Sequence, residues 1–257
     1  MNQAADRAEA LGGNMLIEVK GLAKKYLTNS DYTVTDINIC GDAGEIIGIL
    51  GHNGAGKSTT IKCITGMHPY EVGDVIIAGH DLKSDMIEAK RSFGYVSDEH
   101  ILFERMTGYE FITFMADIYG VTAEEREERI ARFQQMFALG DSIYNLIGSY
   151  SHGMKQKIAF MGALIHMPKV FILDEPMVGL DAHTANALKR FFKEHAAAGN
   201  LVLFSSHNLD VVEKLCNRVY IIDQGVILEH LDMNEFKQSG RDLESYFLEI
   251  TKRVAKA

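Results

Sequence analysis

Hydrophobic and polar residues along this chain follow two different strand patterns. Residues 15–26 and 32–39 alternate apolar and polar positions, which predicts half-buried strands of an antiparallel edge sheet. The second pattern is a continuous apolar run, typical of parallel strands that are buried on both faces. It occurs in EIIGIL, KVFILD, NLVLFSS and RVYIID, at 45–50, 169–174, 200–206 and 218–223. Because helical patterns separate these runs, we expect a doubly wound α/β core.

Helical periodicity replaces these strand patterns between about 97 and 164. MTGYEFITFMADIYGV and TAEEREERIARFQQMFALG both indicate helices, and the second opens with Thr122 three residues before Glu125, a predicted capping box. Near the end of the chain, Leu243, Phe247 and Ile250 fall on one face of DLESYFLEI. That spacing predicts a short amphipathic helix that packs on the core or on another subunit.

These patterns divide the chain into four parts. We expect a flexible tail at 1–14, an α/β core with a β subdomain at 15–96 and 165–230, a helical subdomain at 97–164 and a C-terminal helical extension at 231–257. The predicted fold class is therefore α/β, with a mainly parallel core sheet, an antiparallel β subdomain and an inserted helical subdomain.

Composition narrows the classes of partner. The 257 residues include 26 basic and 35 acidic side chains, a formal net charge of −9, which argues against a nucleic-acid binder with a broad basic surface. The three cysteines are widely spaced and predict small buried side chains in a reducing compartment rather than disulfides. No apolar run reaches the roughly 18 residues of a membrane span, so we expect any membrane connection to run through a partner.

The segment GHNGAGKST, at 51–59, fits the phosphate-binding pattern G-x-x-x-x-G-K-[ST] and lies between a buried strand and a helical segment. Its glycines allow backbone N–H groups to wrap a phosphate chain, Lys57 reaches the terminal phosphates, and the Ser58 hydroxyl is suited to Mg²⁺. We call these residues the P-loop. The predicted phosphate-binding set is Gly51, His52, Asn53, Gly54, Ala55, Gly56, Lys57, Ser58 and Thr59.

Acidic residues end a second buried strand, in FILDEP. Asp174 is predicted to lie at the carboxyl edge of the parallel sheet as a Mg²⁺ contact, direct or through water. Glu175 follows and is predicted to act as the general base for an attacking water. His207, at the end of LFSSH, is expected to reach the same edge, where it bonds the γ-phosphate or orients Glu175.

Together and in this order, these motifs resemble the nucleotide-binding subunit of ATP-binding-cassette (ABC) transporters, over about residues 15–230. The segment before LDEP then corresponds to the signature loop of that family, usually LSGGQ, which here reads YSHGM at 150–154. By the same resemblance Tyr26 is expected to stack on adenine, and Asp181 to be the aspartate that adjusts contact between subunits. His207 corresponds to the switch histidine of that family.

Two positions depart from the family pattern. Asp98 stands where a glutamine is usual, although its carboxylate is still able to hold Mg²⁺ or its water. His152 stands in the signature loop where a glycine is usual. Ser151 and Gly153 remain as the expected contacts to the γ-phosphate of a second subunit.

The resemblance implies ATP and Mg²⁺ as cofactors and a head-to-tail dimer, homomeric or heteromeric, in which the P-loop of one subunit and the signature loop of the other enclose one ATP. It also implies a separate integral membrane permease, which would dock near residues 94–112 and hold the chain at the cytoplasmic face of the membrane. Export is favoured over import on the same basis. The alternatives are a soluble ABC-type ATPase switch and a non-hydrolysing regulatory module.

Overall fold

The computed structural model describes residues 14–26, 31–99 and 101–254, with only the backbone of the last two. The tail predicted for 1–14 therefore lies outside the described residues, apart from Asn14. Among the described residues, no helix is long and apolar enough to cross a membrane.

The core of the described region is a six-stranded sheet that is parallel except at one edge. Its strands lie in the order β10-β9-β3-β8-β7-β6, and β10 pairs antiparallel with β9. Every residue of β3, β7 and β8 is buried, as expected for runs that are apolar on both faces. The strands are β3 (Ile46–Leu50), β6 (Phe93–Val96), β7 (Val170–Leu173), β8 (Leu201–Ser206), β9 (Arg218–Asp223) and β10 (Val226–Asp232).

A second, antiparallel sheet has the order β2-β1-β4-β5. The central β1 places Ile17 and Val19 beside Ile77 and Val75 of β4, and all four side chains are buried. The predicted fold class is confirmed. The sequence patterns missed β4, β5 and β10: β5 has only two residues, β10 lies at a sheet edge, and β4 is mostly exposed or half-buried, with Gly73 and Asp74 in its run. The strands are β1 (Met15–Lys24), β2 (Val34–Asp42), β4 (Val72–Ile77) and β5 (His80–Asp81).

Helices cover the parallel sheet and form the middle of the chain. From 97 to 164 the described residues form helices and turns and no strand. Phe137 of this region stacks on Phe160, with ring centroids 5.8 Å apart, and both rings are buried. The helices are α1 (Lys57–Ile64), α2 (Met86–Arg91), α3 (Gly108–Ile118), α4 (Ala123–Met136), α5 (His152–Leu164), α6 (Ala182–Ala197), α7 (Leu209–Leu215), α8 (Met233–Gln238) and α9 (Leu243–Val254).

Two predicted local features of these helices are confirmed. Thr122 and Glu125 form a capping box at the start of α4, in which each side chain bonds the backbone N–H of the other residue. Leu243, Phe247 and Ile250 are buried and face the core from α9. The capping box supplies hydrogen-bond acceptors to N–H groups that the start of α4 would otherwise leave unpaired. Burial of the apolar face holds the C-terminal helix against the core.

The turn between β9 and β10 joins the two sheets to the P-loop. The Gly225 N–H donates to the carbonyl of Ala55 at 2.9 Å, and its carbonyl accepts from the N–H of Thr35 at the same distance. Gly225 has φ of +77°, and a Cβ there would lie 2.1 Å from the carbonyl oxygen of Thr33. Only glycine fits, because any side chain would push the turn away from the P-loop.

We expect Gly225→Ala to lower the free energy of unfolding by about 3 kcal/mol, from backbone strain and steric overlap. Gly199→Ala is the matched control, because Gly199 has a similar φ of +83° and no atom within 4 Å of a Cβ. The control should lose only about 1 kcal/mol. Urea denaturation measures both, and equal losses would contradict the close packing of this turn.

Candidate functional site

The P-loop curves between β3 and α1 because its glycines stand where side chains do not fit. A Cβ on Gly51 would lie 2.4 Å from the carbonyl oxygen of Ile222. Gly56 has φ of +107°, and a Cβ there would lie 2.9 Å from Val34. Since α1 begins at Lys57, the loop delivers the N–H groups of a helix start to one point, which favours an anion there.

Lys57 is the buried cation of the site, with only 5% of its surface exposed. Its Nζ donates to the carbonyl oxygens of Gly51 at 2.8 Å and His52 at 3.0 Å. It also lies 3.2 Å from Oε1 of Glu175. A buried ammonium requires such partners, and these three hold it at the mouth of the loop.

Glu175 lies at the carboxyl edge of the parallel sheet, just beyond β7, with a left-handed backbone (φ +48°). Its N–H donates to Oγ of Ser205 at 2.8 Å. Nδ1 of His207 lies 3.0 Å from the same Oε1 that contacts Lys57. One carboxylate oxygen thus lies within ion-pair distance of a lysine and a histidine, and neither contact has hydrogen-bond geometry.

Asp174 is buried beside Glu175. Its Oδ1 accepts a hydrogen bond from the Ser205 hydroxyl at 2.5 Å, whereas Oδ2 has no hydrogen-bond partner among the described residues. Burial raises the pKa of Asp174, with the charges of Asp98 and Glu175 adding to the rise, while the hydroxyls of Ser205 and Ser58 oppose it. A cation bound nearby would therefore stabilise the ionised form of Asp174.

This environment fits Mg²⁺. The unpaired Oδ2 of Asp174 and the neighbouring hydroxyl of Ser58 are hard oxygen donors of the kind Mg²⁺ takes. The described residues contain no cluster of three or more His, Cys, Asp or Glu side chains suited to a metal ion. The remaining ligands would therefore come from water and from phosphate oxygens, as is usual for Mg²⁺.

Several of the predicted residues line a cavity of about 270 Å³ at the carboxyl edge of the parallel sheet. Asn53 of the P-loop faces it, together with Asp98, Glu175 and His207. His152 and Gln156 of α5 line the same cavity, so the signature loop of this chain approaches the carboxyl edge of the parallel sheet of its own fold. Sequence reasoning missed Gln156, which lies in the segment KQK, at 155–157, directly after the signature loop.

Ser205 was also missed, although the polar end of LFSSH was noted and could have indicated it. Its hydroxyl bonds both Asp174 and the backbone of Glu175, at 2.5 and 2.8 Å. His52, predicted only as a backbone contact, lies 3.4 Å from Asp223, and its ring meets Phe247 of α9 edge-on at 5.4 Å. The C-terminal helix therefore contacts the P-loop.

Two further predicted residues, Tyr26 and Thr59, do not line this cavity. The Tyr26 hydroxyl bonds Nδ1 of His68 at 2.8 Å, which holds the ring at the end of β1. Thr59 lies in the second position after the α1 start, beyond Ser58. These placements leave the adenine-stacking role of Tyr26 as a prediction.

The signature loop ends in a helix cap. Ser151 is exposed, and its Oγ accepts from the N–H of Met154 at 3.3 Å, which leaves the hydroxyl hydrogen for a further acceptor. Gly153 follows in the first turn of α5. Asp181 caps α6 in the same way by accepting from the N–H of Thr184 at 2.9 Å. That hydrogen bond, a second one from the Thr184 hydroxyl and the charge of Lys157 lower the pKa of Asp181.

The family model described as ABC transporter matches residues 34–178. The chain belongs to the ABC transporter family. It is an ATP-binding ATPase of this class, and the predicted family and the predicted ATPase activity are confirmed.

Known relatives agree with this assignment. The chain is 34% identical over 213 residues to the linearmycin resistance ATP-binding protein LnrL of Bacillus subtilis. The aligned region covers 83% of this chain and 68% of LnrL. It is 32% identical to the methionine import ATP-binding protein MetN of Clostridium acetobutylicum, over 94% and 73% of the two chains. A solved ATP-binding subunit of an ABC transporter is 31% identical, with a TM-score of 0.86 over 92% of this chain and 99% of that one.

We expect Asp174→Asn to lower ATP turnover on the order of 10³-fold, because the amide removes the negative charge of the predicted Mg²⁺ contact, and to raise the melting temperature by a few degrees. The raised pKa of Asp174 means that ionisation costs stability, so the gain should shrink as the pH falls toward the ordinary value of 3.8.

Calorimetry over a pH series and a phosphate-release assay check this expectation. Asp210→Asn, at an exposed position of α7, is the matched control and should change neither quantity appreciably. A lower melting temperature for Asp174→Asn at neutral pH would contradict the cost of the buried charge.

Proposed function

We propose that the chain is the ATP-hydrolysing subunit of an ABC exporter, working with a separate membrane permease and with a second ATPase subunit. The observation that carries the catalytic part is the contact of Lys57 and His207 with one oxygen of Glu175, at 3.2 and 3.0 Å. This contact supports the proposed roles of Glu175 as the base, Lys57 as the cation and His207 as the orienting group at the end of the P-loop.

In the proposed reaction, the P-loop N–H groups and Lys57 bind the phosphates of ATP. Phosphate oxygens would compete with Glu175 for the Lys57 ammonium, and so release the carboxylate to accept a proton from the attacking water. His207 would keep the carboxylate oriented and bond the γ-phosphate. Positioning and charge stabilisation dominate catalysis of this kind.

Ser58 and Asp174 would hold Mg²⁺, with Asp98 facing the same region. When bound, Mg²⁺ would neutralise charge on the phosphates during in-line displacement. The unpaired Oδ2 of Asp174 supports this role. The proximity of Asp98 to Asp174, seen in its effect on the Asp174 pKa, supports including Asp98 in the set.

A second subunit would complete the site. The exposed Ser151 keeps a hydroxyl hydrogen to donate, and Gly153 at the start of α5 allows close backbone approach to a γ-phosphate. We propose that these groups bind the ATP held by the P-loop of the partner in a head-to-tail dimer. Asp181, at the start of α6, would lie at the same interface.

Exposed apolar side chains next to Asp98 support a docking surface for a permease. Ile101 is 80% exposed and Phe103 is 55% exposed, and α3 adds exposed Phe114 and Ile118. Phe103 packs edge-on against Phe114 with ring centroids 5.8 Å apart, so these two side chains form one continuous apolar surface. Contiguous exposed apolar surface is typical of a protein contact.

Export is proposed as the direction because the terminal helix and the KQK that follows the signature resemble exporter ATPases. The similarity to a resistance protein, LnrL, supports it. MetN, which is named as an import protein, is nearly as similar, so transport assays with the permease must decide.

Glu175→Gln should lower ATP turnover about 10²- to 10³-fold, since the amide cannot accept the proton of the attacking water. We expect ATP and Mg²⁺ then to convert this variant from monomer to dimer, because bound ATP persists. Size-exclusion chromatography with light scattering measures the change, with ADP as the control. A chain that stays monomeric with ATP would refute the head-to-tail dimer.

Affinity purification from native membranes should capture an integral membrane protein with several predicted spans. Phe103→Ser should lower its recovery about tenfold, since an interface anchor is lost. Val72→Ser is the matched control, because Val72 is 51% exposed but lies on β4 of the antiparallel sheet. Capture of no membrane protein would favour the soluble switch instead.

A further inference from the structure

Three side chains of α5 contact the loop that follows Glu175, residues 176–181. Nε2 of Gln156 donates to the carbonyl of Pro176 at 3.0 Å, and Gln156 is only 2% exposed. Nζ of Lys157 lies 3.4 Å from Oδ2 of Asp181. His152 precedes Gln156 by four residues, one helical turn, and so shares its face.

His152 contacts the middle of the same loop. A Cβ on Gly179 would lie 3.1 Å from Cδ2 and 3.3 Å from Nε2 of His152, so the imidazole packs directly over the α carbon of this glycine. Gly179 has φ of +78°, a conformation that glycine adopts without strain. Glycine, which is usual at this position in the family, has no side chain and could not make this contact.

The 176–181 loop is the direct continuation of the catalytic strand. It begins after Glu175, whose own φ is +48°, and it ends where Asp181 caps α6. Its backbone is held at Pro176 by Gln156, and the N–H of Val178 donates to the carbonyl of Glu175 at 3.2 Å. Only residues 176–178 separate Gly179 from Glu175, so a displacement of Gly179 would shift the backbone next to Glu175.

We propose that His152 is a positioning residue for the ATPase reaction of its own subunit: its ring fixes the 176–181 loop at Gly179, and thereby the carboxylate of Glu175. The signature loop of this chain thus acts on two ATP sites, on the partner's through Ser151 and Gly153 and on its own through His152. The catalytic consequence rests on the proposed function, whereas the restraint on the loop does not. Displacing a general base by about 1 Å lowers the reaction rate on the order of 10²-fold.

The restraint is tested by hydrogen–deuterium exchange of the full chain without nucleotide. We expect His152→Ala to speed exchange of the amides of residues 177–181 about tenfold, and His152→Phe, which keeps a flat ring, to restore slow exchange. His183→Ala, at an exposed first-turn position of α6, is the matched control and should leave these amides near the wild-type rate. Unchanged exchange in His152→Ala would overturn the proposal.

The catalytic consequence is tested by steady-state kinetics. His152→Ala should lower kcat for ATP about tenfold with KM within about twofold, because the base is misplaced while the P-loop contacts remain. His152→Phe should recover most of kcat. A rise in KM alone, or no rescue by phenylalanine at an unchanged melting temperature, would refute the positioning role.

Mixed dimers separate the two sites on which the loop acts. With Glu175→Gln in one subunit, the single active site uses Glu175 of the other subunit. His152→Ala should lower turnover at least fivefold more when it lies in the subunit that retains Glu175 than when it lies in the Glu175→Gln subunit. An equal or smaller loss there would overturn the action on the same subunit. If no mixed dimer forms, the proposed dimer fails, while the exchange experiment still decides the contact.

Discussion

A buried lysine must be surrounded by acceptors, and this constraint organises the site. Lys57 is held by two P-loop carbonyls and by Glu175, which stands on a different strand end. The ammonium therefore links the loop after β3 to the edge of β7. His207, beyond β8, contacts the same carboxylate oxygen. Three parallel strands thus contribute to one charge cluster, because their carboxyl ends meet at one edge of the sheet.

The parts of the fold that the sequence predicted are those decided by local burial. Strands β3, β7, β8 and β9 appear as apolar runs because neighbours cover both faces, and the helical region shows its own periodicity. The edge strand β10 was missed because most of its residues are only partly buried, so neither alternation nor a continuous apolar run marks it. Family and activity were predictable because the P-loop and FILDEP carry their chemistry in adjacent residues.

The rest of the site depends on distances that no local pattern contains. Ser205 bonds Asp174 across neighbouring strands, from 31 residues further along the chain. Gln156 reaches the Pro176 carbonyl from a separate helix, 20 residues away. A hydroxyl or an amide is chemically unremarkable in sequence, and its role follows only from the parallel register that sets Leu173 beside Phe204. The meeting of His152 and Gly179 belongs to the same class of tertiary contact.

The turn at Gly225 has a thermodynamic consequence for nucleotide binding. Its hydrogen bond to Ala55 fixes the P-loop to this turn, and its close contact with Thr33 fixes the turn to the antiparallel sheet. A loop that is already ordered loses little conformational entropy when a ligand arrives, whereas ordering a free backbone costs about 1–2 kcal/mol per residue. Because folding packs both sheets against Gly225, the P-loop is ordered before a nucleotide binds. A disordered phosphate-binding loop would lose this conformational entropy each time it bound a ligand.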